Sequence, residues 1–182
     1  MTTAALRLFL DRTRTPIGEL MLVADADGRL RATHWTDHDS DLGALLRRQY
    51  GETGFTLEPA ADPGGVTSRV AAYFRGELDA IDRLLVALVG TPFQRAVWTA
   101  LRDIPCGTTT SYSALAQRIG RPSAVRAVGL ANGANPVGVV VPCHRVVGKD
   151  GSLTGYGGGM PRKRWLLHHE AGTRSLWPAA SR

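Results

Sequence analysis

Three consecutive valines, Val139, Val140 and Val141, run into Pro142, Cys143 and His144, and this stretch constrains the chain more than any other. β-branched side chains are stiff at χ1 and favour extended, buried backbone. Pro142 fixes its own φ and biases Val141 toward an extended conformation. The run predicts a buried strand end at which the chain must turn, with Cys143 presented there. A free thiol has a pKa of about 8.5, so it needs a neighbouring base or cation to react as thiolate. His144 and Arg145 are the nearest candidates. The pair alone leaves two readings open. A lone cysteine is commonly a small buried hydrophobe, and adjacent side chains on a strand point to opposite faces.

The 182 residues are 43% hydrophobic, enough for one sizeable core or two small ones. No apolar run approaches the roughly 20 residues that cross a bilayer, so no membrane partner is expected. Nothing at the N-terminus reads as a secretory signal. The two cysteines, Cys106 and Cys143, have no metal-type spacing and form no disulfide framework, which fits the reducing cytoplasm. Charge is divided unevenly. Residues 1–89 hold 10 Lys and Arg against 13 Asp and Glu, a net −3, whereas residues 90–182 hold 12 against 3, a net +9. A basic half beside a mildly acidic one points to a polyanion partner; a solvated Arg-rich surface is the plainer alternative.

The first half reads as mixed α/β. Leu6–Leu10 and Gly18–Ala24 are expected strands, and Asp25-Ala26-Asp27-Gly28 is a hairpin signal before a strand at Arg29–Trp35. Helical spacing covers Leu42–Tyr50 and Val66–Arg75, with a loop at Asp62-Pro63-Gly64-Gly65 between them. Asp25, Asp27, Asp37, Asp39 and Asp41 suit turn and capping roles better than a metal site, and His34 and His38 are unconvincing ligands.

Gly90-Thr91-Pro92 marks a boundary, giving domains at 1–89 and 90–182. An amphipathic helix over Phe93–Ile104 follows, started by Thr91 or Pro92. Ser111 caps a helix carrying Leu115, Ala116 and Ile119, and Gly120-Arg121-Pro122 breaks it. Ser123 is expected to cap a second helix from Ala124 to about Asn132. Two short helices around a Gly-containing turn form a helix-turn-helix pattern, which DNA-binding modules share with many helical hairpins. The second helix is built of small residues around Arg126. Reading base edges needs several long polar side chains, so this helix suits close approach to a backbone or shallow groove.

Six strings in one order carry a resemblance to a known family. They are GTPFQRAVW (90–98), IPCGTTTSY (104–112), RAVGLANGANP (126–136), VPCHRVVG (141–148), LTGYGGG (153–159) and HHE (168–170). In these the chain resembles the O6-alkylguanine-DNA alkyltransferases, most closely the bacterial type. The resemblance implies an α/β (α+β) fold, with an N-terminal ribonuclease-H-like domain and a C-terminal winged helix-turn-helix-like domain. It implies a monomer that acts on double-stranded DNA containing alkylated bases.

By that resemblance Cys143 accepts the alkyl group, His144 deprotonates it through a bridging water, and Glu170 orients His144. Tyr112 gives a proton toward guanine N3 and crowds the phosphate, and Asn135 braces the turn before the active-site segment. Arg126 holds the space left by a flipped nucleotide, with Ser123, Ala127 and Gly129 beside it on the DNA. Tyr156 and Gly157 line the alkyl pocket, and the Cys143 and Val146 carbonyls read the exocyclic amine. Gly157 stands where some members carry serine, but the backbone donor survives that change. No cofactor is expected, and no metal, since no cysteine precedes Cys106. The basic run Arg162-Lys163-Arg164 has two readings, contact with phosphate or exposure to water, and exposed charges more often face water. Two rival classes are a module that flags alkylated bases without repairing them and a cysteine hydrolase.

Overall fold

The computed structural model describes residues 5–37 and 41–172, which form a mixed α/β fold. His38 and Asp39 lie outside the described residues. The chain divides into two compact units, Met1–Gly90 with Pro136–Val140, and Thr91–Asn135 with Val141–Arg182.

The first unit is built on a sheet of β1 (Leu6–Thr15), β2 (Gly18–Asp25), β3 (Leu30–Trp35) and β4 (Phe55–Pro59), in the order β3-β2-β1-β4. The first three strands are antiparallel neighbours, and β4 runs parallel to β1 at the sheet's edge. β1 continues past the expected end at Leu10. The unanticipated β4 is short, and its proline is tolerated because an edge strand leaves one side unpaired. Helix α1 (Leu42–Tyr50) starts where Asp41 accepts the backbone N–H groups of Gly43 and Ala44. Its Leu42 and Leu46 bury against Leu8, Val23 and Ala32 of the sheet. Alternation sends Leu20 and Leu22 to the opposite face. There α2 (Val66–Phe74) lies against the sheet, with Phe74 edge-on to Trp35 at 6.4 Å.

Pro136–Val140 falls beyond the expected cut at 89/90 yet joins this first unit. The reason is local. The Thr33 N–H donates to the Pro136 carbonyl at 2.9 Å and the Thr33 hydroxyl to the Gly138 carbonyl at 3.0 Å, while Val137 and Val139 are fully buried. The expected strand over Val139–Val141 does not form: this stretch is a turn, with Val139 at φ +74°. That backbone costs an L-residue about 1–2 kcal/mol. Apolar β-branched residues here report burial rather than strand pairing. Cys143–Arg145 then makes one 3-10 turn before β6 (Val146–Val147).

In the second unit α3 (Pro92–Arg102) opens with a reciprocal cap between Thr91 and Gln94. Its Trp98 indole donates to the Ala131 carbonyl at 2.8 Å, tying α3 to α5. β5 (Thr110–Ser111) pairs with β6 in parallel. α4 (Tyr112–Arg118) is capped by the Ser111 hydroxyl as expected. Gly120, at φ +70°, makes the turn to α5 (Val125–Gly133). Ser123 does not cap α5. Ala124 holds the cap position without a side-chain bond, and its N–H closes the turn onto the Arg121 carbonyl. α6 (Met160–Ala171) ends the described chain. Among the described residues no helix is long and apolar enough to cross a membrane.

Candidate active site

The 3-10 turn places Cys143, His144 and Arg145 in the interior of the second unit, all buried. Glu170 reaches them from the last turn of α6. His144 Nε2 meets Glu170 Oε1 at 2.9 Å, with both side chains fully buried. Arg145 grips the same carboxylate with two donors, Nε to Oε2 at 2.8 Å and Nη2 to Oε1 at 2.9 Å. Such a fork is among the strongest side-chain pairings. A third guanidinium nitrogen donates to the Ile104 carbonyl. His144 Nδ1 is buried and has no hydrogen-bond partner among the described residues. With Nε2–H donating to Glu170, Nδ1 is the nitrogen that carries the basic lone pair.

Burial works to raise the Glu170 carboxyl, but His144 and Arg145 outweigh it and hold the group well below the usual carboxylate range. Burial holds His144 below its ordinary value, with Glu170 pulling the other way. The histidine is thus neutral near pH 7 and ready to take a proton. Burial pushes the Cys143 thiol up, while the Asn135 side chain, the Lys163 charge and the N–H groups of Cys143 and His144 favour the thiolate. The resting thiol is therefore protonated, and a base must take its proton when it reacts.

A cavity of about 540 Å³ opens on Cys143. Tyr112, Arg126, Gly129, Tyr156 and Gly157 line it, so the structure brings these expected residues to the thiol. Asn135 braces the turn by donating to the Val141 carbonyl at 2.8 Å. Ser123 and Ala127 are exposed and stand outside the lining, as does Val146. A Cβ at Gly129 would lie in ordinary van der Waals contact with the Tyr112 ring, at 3.8 Å.

Three contributors lay outside the sequence reading. Thr154 donates its hydroxyl to the Tyr112 oxygen at 3.0 Å, which leaves the phenolic proton available. Asn132 reaches the Cys143 carbonyl at 3.4 Å. Lys163, expected in water, is fully buried and donates to the Val146 carbonyl at 2.6 Å and the Thr154 carbonyl at 2.9 Å. Burial pulls its ammonium from 10.5 down to about 8, against the opposing influence of Cys143. The signal was present in α6: Lys163, Leu166, Leu167 and Glu170 fall at helical spacing and form its buried face.

The family described as 6-O-methylguanine DNA methyltransferase, DNA binding domain, matches residues 92–172. A methylated-DNA–protein-cysteine methyltransferase of Salmonella typhimurium is 52% identical, over 91% of this chain and 96% of the relative. A Mycobacterium tuberculosis protein of that name is 47% identical, over 75% of this chain and 92% of the relative. The structure resembles the crystal structure of Mycobacterium tuberculosis OGT in complex with DNA, with TM-score 0.73 and 40% identity over 93% of this chain and 94% of that one.

Proposed function

The chain belongs to the methylated-DNA–protein-cysteine methyltransferase family, and from that premise we propose that it repairs DNA by moving the alkyl group of O6-alkylguanine onto Cys143, once per molecule. The observation that carries this reading is that Cys143 opens on a cavity lined by Tyr112 and Arg126, while His144, next in the chain, is held in the interior by Glu170.

The basic second half binds duplex DNA through phosphates, so affinity falls as salt rises. O6 lies within the stacked duplex, and the nucleotide turns out into the cavity before it reacts. Arg126, exposed at the cavity rim, takes the place the nucleotide leaves. O4-alkylthymine presents the same alkyl–oxygen bond and is the second lesion. The thiol proton moves to His144 Nδ1 through one water, and the imidazolium that results is stabilised by Glu170. The Cys143 sulfur attacks the alkyl carbon, an S–C bond forms, and the C–O6 bond breaks with its electron pair passing to the guanine. Tyr112 supplies a proton toward N3 that neutralises the departing base. A thioether has no easy leaving group, so water does not regenerate the thiol and the protein is consumed.

Intact-protein mass after mixing with duplex DNA carrying one O6-methylguanine tests this directly. One added methyl group per repaired base is expected, and none on Cys143→Ala. A lesion bound tightly but left intact would point to a sensing module, and multiple turnover of an ester would point to a hydrolase.

A further inference from the structure

Helix α5 turns one long apolar side chain to solvent. Leu130 is 71% exposed, while its neighbours Val128 and Ala131 are buried. An exposed leucine means little by itself. Leu85 in the first unit is similarly exposed, at 62%, and lines no described cavity. Leu130 differs in its position. It follows Arg126 by one helical turn, so the two side chains share a face. Both line the cavity that opens on Cys143. Gly129, Gly133 and Ala127 keep the adjoining helix surface low, so Arg126 and Leu130 stand above it.

We propose that Leu130 is an apolar wedge which, beside Arg126, enters the base stack next to the lesion and separates neighbouring bases so that the alkylated nucleotide leaves the duplex. The inference rests on the alkyl-transfer reading above. Leucine cannot read a base edge by hydrogen bonding. It can replace lost stacking contacts with apolar ones and remove its own surface from water. The guanidinium one turn earlier supplies the charge that a duplex requires, and the basic balance of residues 90–182 supports the same partner. Leu130 is accordingly a positioning residue for the duplex substrate.

The test compares transfer rates on duplex O6-methylguanine and on free O6-benzylguanine base, which needs no unstacking. In Leu130→Ala the duplex-to-free-base rate ratio is expected to fall ~tenfold or more, the size of losing one base-stacking contact. Leu130→Met should keep the ratio near that of the unaltered protein. A duplex with the lesion opposite an abasic site, already poorly stacked, should recover most of the loss. Equal losses on both substrates would make Leu130 a lining residue of the pocket and overturn the wedge, as would an unchanged ratio. An unaltered protein that alkylates itself with neither substrate would instead sink the transfer reading on which the wedge depends.

Discussion

Each unit buries an acidic residue against an arginine, and the two clusters differ in one respect that separates structure from chemistry. In the first unit Asp25 is 3% exposed and accepts the N–H groups of Asp27 and Arg29 with one oxygen and the Arg31 guanidinium with the other. Burial would raise its carboxyl, yet these donors hold it below its ordinary value. Both carboxylate oxygens are answered, and the cluster closes the β2–β3 turn. In the second unit Glu170 is gripped as completely by Arg145, but its other partner, His144, keeps one buried nitrogen with no answering group. A buried acceptor left unsatisfied costs on the order of 1–3 kcal/mol. It belongs to the residue that follows Cys143, the thiol that opens on the cavity, and this fits it for the base role proposed above. The difference lies in the carboxylate's partners: those of Asp25 are backbone N–H groups and a permanent cation, whereas Glu170 also holds a histidine with a free ring nitrogen.

The sharpest way to break this comparison is to substitute the leftover group. His144→Gln should slow methyl transfer to Cys143 by about 10²–10⁴-fold, the usual contribution of a positioned base. Circular dichroism should show an intact fold. Asp25→Asn in the first unit should do the opposite, leaving the transfer rate alone and lowering stability by about 1–3 kcal/mol through weakened bonds to Arg31 and the turn. Single-turnover rates and urea unfolding of both variants check the pair. Equal rate losses would show that the two clusters are not distinct in role.

Next in size is the shared feature, the arginine grip. Arg145→Met leaves the Glu170 charge buried without its guanidinium partner. Breaking one partner of a buried pair costs about 3–5 kcal/mol. The variant should also raise the pH at which acid unfolds the protein. The sign follows from the titration. Glu170 sits far below 4.5 when folded, so its stabilisation is complete above about 4.5 and is lost as pH falls toward the folded value. Without Arg145 the folded value rises and less of that stabilisation exists. Unfolding midpoints between pH 3 and 7 check this, and a midpoint unchanged across that range would count against the grip.

Much of this was legible in the sequence, and the failures have physical causes. Hairpin glycine, the Thr91 and Ser111 caps and the period of α1 and α3 are local signals, and they appear where the residues place them. Cys143 beside His144 was visible as a pair, but the geometry that separates their roles was not. A 3-10 turn, rather than a strand end, carries them, because Val139 bends at positive φ and the valine run divides between two units. Arg145 and Glu170 lie 25 residues apart, and only tertiary structure joins them. Lys163 was misread because a charged residue between two arginines looks solvated. Its spacing with Leu166, Leu167 and Glu170 carried the better signal.

Lys163 yields the smallest predicted effect and the most specific one. The first unit's Arg31 cation stays charged at any pH the fold survives, whereas Lys163 releases its proton near 8. Below that pH the ammonium favours the Cys143 thiolate; above it the charge is gone. The transfer rate should therefore climb as His144 deprotonates and fall again above about 8. Lys163→Met loses the charge that favours the Cys143 thiolate, so it should run slower at pH 7, about tenfold for a barrier change of about 1.4 kcal/mol, and its profile should lack the alkaline fall. Stability moves the other way. The unfolded lysine keeps its proton to about 10.5 and the folded one loses it near 8, so between those values the unfolded state holds more protons and the fold gains stability as pH rises. A role in packing alone would change the stability slope without touching the alkaline limb of the rate, so measuring both on one variant separates charge from shape.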